Sequence, residues 1–140
     1  MTPLDAFVAR WNAVAMPVPL FRVVNILVDL EGKPDAWAGA LDQGDTLGDV
    51  TMGTNPWTET HGQIYVALIA KSGTGDALLA DAIDAMREHF QGYRLADDAV
   101  RFPTVIGPED AAPNGDGMWW QVTMRVPYVV QARRAEPLVP

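Results

Sequence analysis

The segment from Thr58 to Ala70 constrains the fold more than any other part of the chain. In an extended conformation, both of its sides are apolar. One side carries Ile64, Val66 and Leu68, and the other carries Tyr65, Ala67 and Ile69. A strand of this kind is covered on both faces or lies in the middle of a sheet. The segment therefore predicts a central strand, for which the remaining chain supplies the neighbours.

Two segments predict helices. At the N-terminal one, Thr2 can cap the helix, Pro3 suits its first position, and Asp5 stands three residues after Thr2. Residues 77–90 form the second. Its apolar stripe comprises Leu79, Ala82, Ile83, Met86 and Phe90, and its opposite side carries Asp81, Asp84 and Glu88. Amphipathic helices like these cover one face of a sheet.

Four further segments predict strands: residues 21–30, 36–41, 100–106 and 118–130, with a possible short strand at 50–52. Glycines at 44, 48 and 53 predict a loop after the strand 36–41. Residues 108–117 predict a turn-rich loop. The order α-β-β-(β)-β-α-β-β predicts an α+β fold, a mostly antiparallel sheet with two helices on one face. We expect one domain over residues 1–130 and a mobile tail or docking arm over 131–140.

The composition excludes several classes of function. The chain has no cysteine, so disulfides and thiolate metal sites are excluded. No apolar stretch reaches the roughly 20 residues of a membrane helix, so no membrane partner is expected. The net charge of −8 disfavours binding to nucleic acid and to anionic membranes, because phosphate binding depends on clustered Lys and Arg.

The charge is unevenly distributed along the chain. Residues 31–56 carry a net −4 and residues 118–140 a net +2. The acidic residues of interest are Asp42, Asp45 and Asp49, and the basic ones are Arg125, Arg133 and Arg134. These two segments predict complementary surfaces between copies of the protein.

No local motif predicts catalysis or a cofactor. Ser72 is the only serine and lacks the G-x-S-x-G context of a hydrolase nucleophile, while His61 and His89 are interpreted as structural. The glycines around Thr74 lack the G-K-[ST] ending of a phosphate loop. The spacing of Asp42, Asp45 and Asp49 differs from that of an EF-hand. We therefore expect no enzyme activity, no cofactor and no metal.

Trp119 and Trp120 are adjacent in a predicted strand, so their side chains point to opposite faces of the sheet. Either a helix covers each face, or one of these tryptophans meets a partner. Arg125 lies on the same predicted face as Trp119, and tryptophan is enriched at interface hot spots. Trp119 is therefore a candidate interface residue.

Several short sequences occur in an order that is similar to a known family. They are Ala36-Trp37-Ala38, Met52-Gly53, Thr60-His61-Gly62, Ser72-Gly73-Thr74-Gly75, the helix 77–90 followed by Gly92, Phe102-Pro103-Thr104, and WWQVTMRVP at 119–127. In this order the chain resembles the tail-terminator-like (tail completion, head-tail joining) proteins of long-tailed phages, prophages and gene-transfer agents. The resemblance covers residues 1–130 and leaves residues 17–35 unmatched.

The resemblance implies a structural, non-enzymatic virion protein. Such proteins form rings, commonly hexamers, that cap the tail tube and join it to the capsid neck. The expected partners are further copies of the chain, the tail tube protein and a neck or stopper protein, with DNA passing through without specific binding. The expected location is the tail-neck junction of the virion, and the host cytoplasm during assembly. The expected subunit interface includes Trp119, Arg125, Arg133, Arg134, Asp42, Asp45 and Asp49.

Three alternatives remain open at this point. One is another neck component, an adaptor or stopper, which also forms rings. The second is a small-molecule-binding or hydrolytic domain that uses Ser72 and His61. The third is a monomeric regulator whose Trp119 binds another protein.

Overall fold

A computed structural model describes residues 2–22, 35–49, 57–71, 76–95, 100–114 and 119–133. In chain order the elements are α1 (Pro3–Ala13), β1 (Leu20–Arg22), β2 (Ala36–Asp49), β3 (Trp57–Lys71), α2 (Asp76–Phe90), β4 (Tyr93–Arg94), β5 (Val100–Phe102), β6 (Ile106–Asn114) and β7 (Trp119–Arg133). The fold is α+β, with a mostly antiparallel, curled sheet and, within these ranges, two helices. The predicted fold class is confirmed.

The sheet is built around β3, as the two-sided apolar pattern predicts. β3 pairs antiparallel with β2 on one side and with β7 on the other. Across the described strands the order is β1-β2-β3-β7-β5-β4, and β6 also pairs with β7. β5 and β6 share the outer edge of β7, β5 near Val130 and β6 between Trp119 and Arg125. β1 is parallel to β2, and the other pairings are antiparallel.

The first helix begins and ends at signals in its own sequence. The Asp5 amide donates to the Thr2 hydroxyl over 3.0 Å, and the Thr2 amide donates to the Asp5 carboxylate over 3.3 Å. This reciprocal capping box satisfies two amides that the helix leaves unpaired. After the helix, the Trp11 Nε1 donates to the carbonyl of Val18 over 2.9 Å, so the buried indole also holds the chain that leads into β1.

The second helix buries the predicted stripe. Leu79, Ala82, Met86 and Phe90 are buried and Ile83 is half-buried, whereas Asp81, Asp84 and Glu88 are exposed. Beyond the helix, Gly92 adopts a φ of 79°, and its amide donates to the carbonyl of Phe102 over 2.8 Å. The left-handed conformation of this glycine lets the chain turn directly from α2 into β4.

Both helices lie on the same face of the sheet. Their buried residues join one hydrophobic cluster with the alternate residues Ile64, Val66, Leu68, Val122, Met124 and Val126. Inside this cluster, three aromatic side chains connect the two helices. The rings of Phe7 and Phe90 stack with centroids 4.4 Å apart, and the ring of Phe102 meets both edge-on. The prediction of helices on one face is confirmed, and the alternative of one helix on each face is wrong.

The predicted loop after residue 41 is wrong over residues 42–49, because β2 continues to Asp49. β3 supplies a partner along this whole stretch, and the pairing shifts register once, between Asp42 and Asp45. A bulge of this kind lets a glycine-containing, polar segment stay in a sheet despite its weak strand propensity. The predicted strand 21–30 is described only as β1, and the predicted strand at 50–52 lies outside the described residues.

The predicted loop 108–117 is also wrong over residues 108–114, which belong to β6. Two register shifts, one on each side of Glu109, accommodate a segment that contains Pro108 and Pro113. Proline lacks an amide donor and is tolerated at bulges and at sheet edges. The predicted strand 100–106 is divided between β5 and β6, and β7 continues to Arg133, three residues into the predicted tail.

Candidate functional site

The face of the sheet opposite the helices is the first candidate interaction surface. Within the described ranges, neither helix lies over it. We call it the open face; its half-buried central residues are Gln63, Tyr65, Ala67, Gln121, Thr123 and Arg125. Trp37 and Ile69 on this face are buried, and the ring of Phe21 meets Trp37 edge-on with centroids 5.9 Å apart. The open face is therefore apolar beside β2 and polar beside β7.

Arg125 is held in place on the open face by bonds within the chain. Its Nε donates to the Glu109 carboxylate over 2.7 Å, and one terminal nitrogen donates to the Gln63 side-chain oxygen over 3.3 Å. Both groups of the ion pair remain partly exposed, so the pair contributes little to stability. Its effect is to order a polar patch at the centre of the open face.

A second polar group lies at the far end of the same face. The Glu59 carboxylate contacts the His61 Nε2 and accepts from the Gln131 amide over 2.9 Å. The Gln131 hydrogen bond holds the pKa of Glu59 below its ordinary value. Desolvation opposes this lowering, and His61 and Arg101 add to it. Glu59 thus stays ionised in a network that involves both β3 and β7.

The three candidate aspartates lie along β2. The Asp42 carboxylate accepts from the buried Tyr128 hydroxyl over 3.0 Å and 3.2 Å. Asp45 stands opposite Gly62 in the pairing with β3, and Asp49 stands opposite Thr58. Among the residues that the structure describes, no group of three or more potential metal ligands occurs.

The strand register places the acidic and basic segments side by side within one copy. Asp49 pairs with Thr58 of β3, and Thr58 pairs with Ala132, the neighbour of Arg133 in β7. Adjacent strands are about 4.8 Å apart, so the backbones of Asp49 and Arg133 lie about 10 Å apart. The sequence predicts complementary surfaces on different copies, whereas the sheet also brings Asp49 and Arg133 to the same end of one copy. Arg134 lies outside the described residues.

The two adjacent tryptophans differ in how exposed they are, and the candidate interface residue Trp119 is the less exposed of the two. Trp119 is half-buried, and the more exposed indole belongs to Trp120, which retains 38% of its accessible surface. Trp120 lies on the same face as Val122 and Met124, the face that carries the helices. It is the second residue of β7 and pairs with Ala70, near the end of β3. Sequence alternation predicts the face on which Trp120 lies. It does not predict how much of the indole stays exposed on that face.

Of the two residues in the hydrolytic alternative, the structure describes His61, and Ser72 lies outside the described residues. His61 and Lys71 are both in β3, ten residues apart, which corresponds to about 33 Å in an extended strand. Ser72 follows Lys71 directly in the chain. A site that combines His61 with Ser72 would have to bridge this span. His89 is in the last turn of α2, where its carbonyl accepts from the Arg10 Nε over 3.2 Å.

Comparison with known proteins leaves the resemblance untested. No protein-family model matches the chain, and no curated protein matches it. Across the described ranges, neither helix has the length and apolar character that spanning a bilayer requires. The functional conclusion therefore depends on the surfaces described above.

Proposed function

We propose that this chain is a structural subunit of a ring that caps the tail tube of a phage-like particle and joins it to the capsid neck. One observation carries the proposal: a broad sheet face that neither described helix covers, with half-buried residues along its centre. A sheet face without such a cover is available for contact with another protein chain. The sequence resemblance to tail-terminator-like proteins supplies the particular assembly.

The arrangement of charged groups favours a binding role over a reactive one. Arg125, Glu59 and Asp42 each have partners within the chain, and these bonds shape a surface. The distance of about 33 Å along β3 argues against a hydrolytic pair of His61 and Ser72. A ring of identical subunits needs two different surfaces on each copy, arranged so that the contact closes.

The direct test is imaging of the purified protein together with a tail tube protein. We expect rings at one end of each tube, and tubes that stop growing when the protein is added. A tube preparation without the protein is the control, and it should continue to elongate. Tubes that grow unchanged and stay uncapped would overturn the proposal. Binding to a portal complex instead of tubes would assign the chain to the adaptors or stoppers.

A second expected result concerns DNA. Six copies at −8 carry about −48 charges, so a ring lumen of the same sign would not hold duplex DNA through counterion release. We expect no retardation of a linear duplex in a gel-shift measurement at about 0.15 M salt. A histone-like basic protein of similar size is the positive control. Retardation that weakens steeply with added salt would contradict a channel that lets DNA pass without binding.

A further inference from the structure

A cluster of exposed apolar side chains lies at one end of the fold, away from the open face. In the described part of the chain, the large hydrophobic residues that remain exposed are Phe21, Leu78 and Trp120. Pro113, the cross-strand neighbour of Trp120 in β6, is exposed as well. We call Trp120, Pro113 and Leu78 the Trp120 patch. The patch thus contains Leu78 and Trp120, two of the three exposed large hydrophobic residues.

The pairing of the strands places these residues together. Trp120 pairs with Ala70, one residue before β3 ends at Lys71. α2 begins at Asp76, so Leu78 is in its first turn. Trp120 points to the face that carries α2, because it alternates in step with the buried Val122. Leu78 and Trp120 therefore share one end and one side of the sheet.

The Trp120 patch borders an acidic stripe. Asp81 follows Leu78 by three residues on α2, and Asp84 and Glu88 continue along the helix surface. All three carboxylate side chains are exposed. A ligand that fits this surface combines an apolar segment with a cation a short distance away.

One segment of this chain has that composition. Residues 134–140 read Arg-Ala-Glu-Pro-Leu-Val-Pro, a P-x-x-P segment that follows a cation at Arg134. We propose that residues 134–140 of a second copy bind the Trp120 patch, with residues 137–140 on Trp120 and Pro113 and Arg134 on the acidic stripe. The inference rests on the proposed function, since it identifies a contact between neighbouring subunits of the ring.

The length of the chain requires a second copy. β7 carries the chain from Trp120 to Arg133, about 43 Å in an extended strand, and leaves Arg133 in the direction away from the patch. The seven residues 134–140 reach about 25 Å at most. They would have to reverse direction and cover more than that distance to reach the Trp120 patch of their own copy. A neighbouring copy removes the constraint and makes the contact head-to-tail, as a closed ring requires.

The apolar residues of this segment suit the Trp120 patch and Arg134 suits the acidic stripe, whereas Glu136 has to point away from the stripe. Proline-rich segments adopt the extended polyproline conformation at a small entropic cost and dock on aromatic side chains. Leu138 would bury its side chain against Leu78 and the indole of Trp120. Arg134 precedes Leu138 by four residues, about 12 Å in this conformation. Asp84 follows Leu78 by six residues on α2, about 9 Å along the axis and about 120° around it, so the long side chain of Arg134 can reach the acidic stripe.

Cysteine cross-linking tests the contact directly, because the natural chain contains no cysteine. Copies with Val139→Cys are mixed with mass-tagged copies that carry Ala77→Cys, at the exposed position before Leu78. We expect disulfide-linked pairs of the two kinds of copy under mild oxidation. The matched control is Ala9→Cys, at an exposed alanine of α1, the helix that packs near the opposite end of α2. Equal yields with Ala77→Cys and Ala9→Cys would overturn the proposal.

Two substitutions then identify the groups involved. Trp120→Ala should lower the cross-linking yield about thirtyfold at limiting protein concentration, which corresponds to the loss of one interface hot spot. Leu138→Asp should have the same effect without changing a residue of the described fold. Asn12→Ala, at an exposed position of α1 outside both the Trp120 patch and the open face, is the matched control and should leave the yield unchanged. An unchanged yield in Leu138→Asp would overturn the contact.

The two proposals fail in different ways. If Leu138→Asp still forms rings that cap tubes as the unaltered protein does, the contact is wrong and the proposed function stands. If the specific cross-link forms but tubes stay uncapped, the contact stands and the proposed function is wrong.

Discussion

Replacing Phe90 with alanine should lower the free energy of unfolding by about 3–5 kcal/mol, the largest effect that we expect from a single substitution. The Phe90 side chain is fully buried in the last turn of α2. Its ring stacks on Phe7 at 4.4 Å and lies 6.0 Å from the ring of Trp11. Alanine would leave a cavity at the point where the two helices meet above the sheet.

The loss is large compared with the stability of a typical domain, about 5–15 kcal/mol, so the variant should unfold at markedly lower denaturant concentration. Urea titration followed by circular dichroism gives the midpoint and the slope. Glu88→Ala is the matched control, because Glu88 is exposed two residues earlier on α2, and its midpoint should stay almost unchanged. Equal midpoints for the two variants would contradict the aromatic packing described here.

Replacing Gly107 with alanine should lower the free energy of unfolding by about 2–5 kcal/mol, from backbone strain and steric overlap together. Gly107 has a φ of 124°, a conformation that side chains other than glycine rarely adopt. A Cβ at this position would lie 2.9 Å from the Thr123 carbonyl oxygen and 2.9 Å from the Met124 sulfur. The sulfur can move, but the carbonyl belongs to the backbone of β7.

Gly92→Ala separates strain from overlap. Gly92 also has a positive φ, 79°, but a Cβ there would meet nothing within 4 Å. We expect a loss of about 1–2 kcal/mol, from the left-handed conformation alone. Thermal unfolding of the two variants under one set of conditions makes the comparison. If Gly107→Ala proves no more destabilising than Gly92→Ala, the close approach of residue 107 to β7 is wrong.

The parts of the fold that the sequence predicts well are those whose signals are local. The capping box of α1 involves residues three apart, and the buried stripe of α2 repeats with each turn of its own helix. β3 was identified as central because an extended segment that is apolar on both sides has few stable positions in a sheet. In each case, the residues that decide the structure are close together in the chain.

β2 and β6 show where this reasoning fails. Residues 42–49 contain two glycines and three aspartates, and residues 106–114 contain two prolines, so their own preferences favour loops. Both are strands because a long neighbour supplies hydrogen-bonding partners, β3 for one and β7 for the other. Register shifts absorb the residues that a regular strand would not accept. The partner strand is distant in sequence, so no local pattern reports it.

The candidate site also combines features that the sequence predicts with features that only the tertiary structure shows. Composition and alternation indicated an acidic chain without cysteine and identified which of two adjacent tryptophans shares a face with Val122. Only the tertiary structure placed Asp49 two strands from Arg133, kept residues 61 to 71 in one continuous strand, and left Trp120 exposed. The physical reason is that side-chain periodicity depends on the geometry of one element. Which surfaces stay exposed depends on where several elements begin and end relative to one another.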